Sequence, residues 1–158
     1  MVLIIRSCLP SWFCLCSVIR RVSYPDNFLK GVSNRELLTP DLGVSAGVFH
    51  FELAKTNNGW VEQSICWEDD DSVVDLMLRQ KKEGEIQFKA AVVRVPRSCV
   101  HYINKLPQLE ELLSYERKEL DENPYHGNLL LKKDTHKWAR SKVAWMLASH
   151  VSEVIIQE

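Results

Sequence analysis

Residues 47–67 read GVFHFELAKTNNGWVEQSICW. The stretch divides at Asn58-Gly59, the pair best able to adopt positive φ at both central positions of a type I′ turn. Beyond the turn, Val61, Ile65 and Trp67 share one face, and Glu62 and Ser64 the other. That is the two-residue period of a half-buried strand. Before the turn, Phe49, Phe51 and Leu53 alternate with His50 and Glu52. A β-hairpin is predicted, and its alternation sets the pattern for the segments downstream.

Residues 72–81 alternate as Val74, Leu76 and Leu78 against Asp75 and Arg79. Lys82-Glu83-Gly84 makes a turn, and residues 85–95 give a fourth strand with Ile86, Phe88, Ala90 and Val92 inward. Its second half, AAVVRV, is apolar on both faces, which predicts that something covers the sheet there. Pro96 ends the strand by removing a ladder donor. Four strands joined by short turns make an antiparallel meander.

The period then changes. Pro107 suits the first position of a helix, and Leu109, Leu112, Leu113 and Leu120 recur at helical spacing. This predicts a helix over 107–121, stopped because the residue before Pro124 is pushed out of the helical region. Residues 122–128, ENPYHGN, reverse the chain, and Leu129-Leu130-Leu131 forms a short fifth strand. Asp134 or Thr135 caps a last helix with an apolar stripe of Ala144, Leu147, Ala148, Val151, Val154 and Ile155, and Trp138 and Trp145, seven apart, share a neighbouring stripe. The predicted fold class is α+β: a four-stranded antiparallel meander plus a short fifth strand, with two helices packed on one face.

This places a single α+β domain at residues 44–158, preceded by a poorly structured extension and linker at 1–43. Residues 21–46 are punctuated by Pro25, Gly31, Pro40 and Gly43, leaving room for one short turn capped by Asn34. The opening, MVLIIRSCLPSWFCLCSVIRR, has an apolar run over residues 7–19, shorter than the roughly 20 residues a spanning helix needs. Against a signal peptide, Arg6 breaks the apolar start of the chain, Pro10 follows, and no small-x-small cleavage site appears before Arg20. A membrane-associated protein held by residues 1–19 is the third reading of the chain.

The chain has 158 residues and a formal net charge of −1, without the strong basic excess typical of nucleic-acid binders. No nucleic-acid partner is expected, and the short apolar run argues against a membrane. The five cysteines are an odd, front-loaded set that makes a poor disulfide framework. A reducing, cytoplasmic setting is the expectation.

Five histidines carry the chemistry best suited to proton transfer near neutral pH. His126 in the reversal, His136 at the start of the last helix and His101 before the predicted first helix are the catalytic candidates. Together they are the basis for a hydrolase or nuclease around residues 122–128. No HExxH, paired-cysteine, GxSxG or phosphate-cradling glycine motif accompanies them, and no metal or cofactor is expected. The binding candidates are Tyr125 and Asn128 in the reversal, Trp60 on the outer face of the sheet beside His50, Glu52, Glu62 and Arg79, and Arg140 on the last helix. Lys137, Arg140 and Lys142 lie in the first turns of that helix, the less favourable end for cations, which invites an anionic partner. The acidic run Glu68-Asp69-Asp70-Asp71 lacks the spacing of a calcium loop and is expected to be a solvated hairpin tip. The absence of catalytic spacing favours a small binding module of adaptor, antitoxin or immunity type, acting by surface contact on a protein partner or as a homodimer.

Overall fold

A computed structural model of the chain describes residues 23–53, 56–82, 85–88 and 90–156. The expectations for residues 1–19 fall outside these residues, as do the side chains of Ile86 and Phe88. The fold is α+β, built on one antiparallel sheet. In chain order its strands are β1 (Asn27–Val32), the two-residue β2 (Thr56–Asn57), β3 (Trp60–Trp67), β6 (Ala91–Pro96), β7 (Leu113–Arg117), β8 (His126–Lys132) and β9 (Glu153–Ile156); β4 (Arg79–Lys82) and β5 (Glu85–Phe88) form a separate hairpin. Among the described residues three α-helices accompany them: α1 (Ser72–Leu78), α2 (Ser98–Asn104) and α3 (Lys137–Ser149).

The spatial order is β7-β8-β3-β1-β6-β9, with β2 added beside β3. β3 and β6 flank β1 and both run antiparallel to it. The chain between them, which contains α1, must therefore cross β1. It crosses on the sheet face where Leu29, Cys66 and Val92 pack against Val73. The opposite face carries the main core, with Phe28, Ile65, Trp67, Val93 and Leu129 beneath α2 and α3. α3 carries the chain back from β8, near one edge, to β9 at the other. Each fully buried Leu or Val is worth roughly 1.5–3 kcal/mol, so both faces are held by burial.

Several expected elements appear where local signals placed them. Asn58 and Gly59 take positive φ, 46° and 84°, and turn β2 into β3. β6 stops at Pro96 and is buried on both faces at Ala91, Val92 and Val93. Asn34 caps a one-turn 3-10 helix, accepting from the Glu36 amide at 2.9 Å.

Other expectations are corrected. The linker assigned to residues 21–46 contains β1, the central strand of the sheet. Its six residues pair fully with β6, and Phe28 and Leu29 are wholly buried. Lys30 breaks the apolar alternation, but its ammonium reaches the Ser64 carbonyl at 2.9 Å where β1 and β3 part. The predicted first strand of the meander is a 3-10 helix, Ala46–Phe49, followed by irregular chain. Gln63 of β3 donates to the carbonyls of Val48 and His50 and holds the segment over the core. Residues 72–78 are helical, which buries Val73 rather than Leu76. The helix predicted over 107–121 is absent: Leu109 and Leu113 are buried four residues apart, but through a turn and an edge strand. Asn104 accepts from the Leu113 amide and donates to its carbonyl, which fixes the start of β7. The last helix ends at His150, whose ring contacts the Met146 carbonyl at 2.8 Å. The β-branched residues beyond it, including Val154 and Ile155, form β9 instead. The last helix packs on one face with α2, a helix the sequence reading did not place, and α1 lies on the other.

Candidate functional site

The three candidate catalytic histidines occupy separate places. His126 opens β8 opposite Cys66, and its Nδ1 lies 2.8 Å from the Lys118 carbonyl. Successive strand residues alternate faces, so His126 lies on the α1 side of the sheet. His101 is on α2, on the other side, with Nε2 3.4 Å from the Tyr115 hydroxyl. His136, and not Asp134 or Thr135 as expected, is the N-cap of α3, where its Nδ1 accepts from the Trp138 amide. The length of β8 separates it from His126, about 20 Å at the rise of a strand. The structure brings no two of them to a common pocket, and among the described residues no group of three His, Cys, Asp or Glu could hold a metal ion. Each ring instead contacts a backbone group or a neighbouring ring.

The reversal at 122–128 also has a structural account. Asn123 donates to the Cys66 sulfur at 3.2 Å, and Tyr125 donates its hydroxyl to Asp70 at 3.2 Å. Asn128 is buried between two carboxylates, donating to Glu62 at 3.2 Å and Glu116 at 3.1 Å. Gly127 is required by a close approach. A β-carbon there would lie 2.3 Å from the Trp67 indole nitrogen and 2.5 Å from the Glu116 carbonyl oxygen. Cys66 is opposite His126, and a cysteine beside a histidine and an asparagine suggests a nucleophile. Burial pushes its thiol up, however, against the smaller opposing effects of Asn123 and Lys30. A buried, protonated thiol is a poor nucleophile.

The acidic run is not a hairpin tip. It joins β3 to α1 and ties neighbouring elements together. Glu68 pairs with Arg94, which also meets Glu153. Asp69 accepts from both terminal guanidinium nitrogens of Arg117, at 2.7 and 2.8 Å. The Ser72 hydroxyl and amide hold the Asp70 carboxyl below its usual range. An open cleft of about 630 Å³ lies beside Asp26, Glu68, Asp71 and Arg94, with much of its charge already satisfied within the protein.

The outward face of α3 is different. Ala139, Val143, Ala144, Met146 and Leu147 pack inward, which leaves Trp138 and Trp145 pointing out, 52% and 56% exposed. Seven residues apart, they share one stripe. Lys142 lies between them with its ammonium 4.7 Å from the Trp145 ring centre, a cation–π contact. Residues 132–142 hold five Lys or Arg and one Asp, a net +4 against −5 for the rest of the chain. Lys132, Lys133, Lys137 and Arg140 make no side-chain ion pair among the described residues. Trp60, half-buried in the hairpin, is paired with Lys132 at the same end of the molecule. The neighbours expected on a strand beside it, His50 and Glu52, lie on the irregular segment.

A groove of about 480 Å³ continues this face. It runs between the loop at 39–46 and the C-terminal end of α3, lined by Leu42, Val44, Ala46, Trp145, Ala148 and Val154. Sequence reasoning identified Arg140 and the tryptophan spacing. It missed the groove, whose far wall was assigned to a linker, and the continuity of the basic run with the end of β8. Comparison with protein-family models, curated proteins and solved structures returned no match.

Proposed function

We propose that the protein is a binding module acting by surface contact, with the outward face of α3 as its docking surface. One observation carries this reading: two half-exposed tryptophans flank a lysine on a helix whose basic neighbours make no side-chain ion pair among the described residues. Tryptophan and arginine are the residues most enriched at binding hot spots, and leaving two indoles half in water forgoes burial that the inner face of the same helix achieves. Cations in the first turn of a helix oppose its dipole, a cost of a few tenths of a kcal/mol each that an anionic partner would reverse. The buried free thiols Cys66 and Cys99 accord with the reducing, cytoplasmic setting proposed for it. Among the described residues no helix is long and apolar enough to cross a membrane.

The test is site-specific photo-crosslinking of the full chain in cells. A crosslinking residue is placed in turn at positions 138 and 145, and at exposed position 110 as a control. Discrete adducts at 138 and 145, lost when Lys137 and Arg140 are both changed to Glu, are expected. Adducts equally strong at 110, or none at 138 and 145, would overturn the assignment.

A further inference from the structure

We infer that the partner is an extended polypeptide segment with an apolar part and an acidic part. Its apolar side chains occupy the groove beside Leu42 and Trp145, and its carboxylates lie along Lys137 and Arg140. This rests on the reading of α3 as the docking face and adds the chemistry of what docks there. Lys137, Ser141, Trp145 and Ala148 fall at offsets of four, eight and eleven, so they form one continuous strip. The strip leads from the cationic start of the helix into the groove, a distance of about 17 Å at the helical rise. An extended chain spans that in about five residues, which sets the separation between the apolar anchor and the first carboxylates.

The groove wall is built to present an apolar side chain. Leu42 is 67% exposed and sits in the left-handed region at φ 59°, a conformation leucine rarely adopts. Hydrogen bonds hold it there: Leu42 amide to Thr39 carbonyl at 3.1 Å, Thr39 amide to Gly43 carbonyl at 2.9 Å, and Gly43 amide to Thr39 hydroxyl at 3.0 Å. The polarity of the segment follows from the rim. Asp41 and Glu153 border the groove, and Glu153 is already paired with Arg94. Carboxylates of the partner are therefore repelled from the groove end and drawn to the Lys137 end.

Charge and shape favour a peptide over the other polyanions. A nucleic-acid backbone has no aliphatic groups for the lining of Val44, Ala148 and Val154, and the −5 on the rest of the chain opposes its approach. A lipid surface takes up a helix through a continuous apolar face, but on α3 that face is spent in the core at Val143 and Leu147.

The experiment is phage selection of a random ten-residue peptide library on the immobilised full chain, followed by anisotropy titrations of the enriched peptide. A poly-thymidylate oligonucleotide and phosphatidylserine vesicles are titrated in parallel. Enriched sequences should carry Leu, Ile or Phe about five positions from a pair of Asp or Glu. Their binding should weaken at least about tenfold in the K137E/R140E variant and comparably in Leu42→Asp, while neither variant melts below wild type, because these side chains are not in the core and acids in the first turn suit the helix dipole. Enrichment of basic or purely apolar peptides, or binding of the oligonucleotide or vesicles in place of peptide, would overturn the partner class. If crosslinks at 138 and 145 persist in that case, the docking face stands without it. Loss of the crosslinks as well would remove both.

Discussion

Gly127 lies under the indole of Trp67, and replacing it with alanine tests the packing of the sheet. The added carbon would meet Trp67 Nε1 at 2.3 Å, Trp67 Cδ1 at 2.9 Å and the Glu116 carbonyl oxygen at 2.5 Å. Contact between heavy atoms is normally about 3.5–4.0 Å, so something must move by more than an ångström. The Glu116 oxygen belongs to the paired backbone of β7. The indole is fully buried, with Tyr24, Tyr115 and Phe28 rings centred 4.8, 5.3 and 6.2 Å away. Trp67 also donates to that same carbonyl at 3.3 Å. Overpacking a core costs about 1–3 kcal/mol, and losing the hydrogen bond about 1 kcal/mol more. The better strand propensity of alanine returns at most about 1 kcal/mol. Gly127→Ala should therefore destabilise by about 1–3 kcal/mol and lower the melting temperature by roughly 2–12 °C for a chain of this size. Urea unfolding followed by tryptophan fluorescence reads the first, and calorimetry the second. The cost should shrink in a Trp67→Phe background, because the two substitutions act on one contact. A Gly127→Ala protein within about 0.5 kcal/mol of wild type, or a cost that is the same with and without the Trp67→Phe change, would refute the account of this glycine.

Truncating both Trp138 and Trp145 to alanine should change stability by no more than about 1 kcal/mol, measured by urea unfolding, yet weaken partner binding at least about thirtyfold, as removal of a hot-spot residue does. The Asp69–Arg117 pair is bidentate but partly exposed, so a double-mutant cycle with alanine at both positions should give a coupling of up to about 1 kcal/mol that fades in 1 M salt. Burial pushes the Cys99 thiol from its ordinary 9.0 up to about 12. The unfolded chain therefore loses that proton first, and the associated stability is fully present below about pH 9 and falls away as the pH rises toward 12. Unfolding midpoints measured from pH 8 to 11 should decline less steeply in Cys99→Ala than in wild type, and parallel curves would count against the shift.

Much of the chain was legible where short-range chemistry is decisive. Asn58-Gly59 could serve as a tight turn almost wherever it was placed, because few other pairs accept two positive φ values. Pro96 ends a strand and Asn34 caps a turn for similarly local reasons. The inward stripe of α3 at Ala144 and Leu147 was readable because thirteen residues give the helical period room to repeat. The tryptophans were visible as a second stripe on that helix. Their role as a surface depended on knowing which stripe the sheet would take.

What the sequence determined by itself, then, is the Asn58-Gly59 turn, the Asn34 cap, the stop at Pro96, the strands at 60–67 and 91–96, and the α+β class. The tertiary structure alone decided which segment became the central strand, which apolar alternation became helix, and how the far wall of the groove formed. Residues 72–78 and 107–121 offer apolar side chains at spacings that more than one backbone can bury. Differences in backbone preference there amount to a few tenths of a kcal/mol per residue. Burying Leu29, Val73 or Leu113 yields about 1.5–3 kcal/mol each, so the arrangement of the whole core outweighed the local preference of each segment.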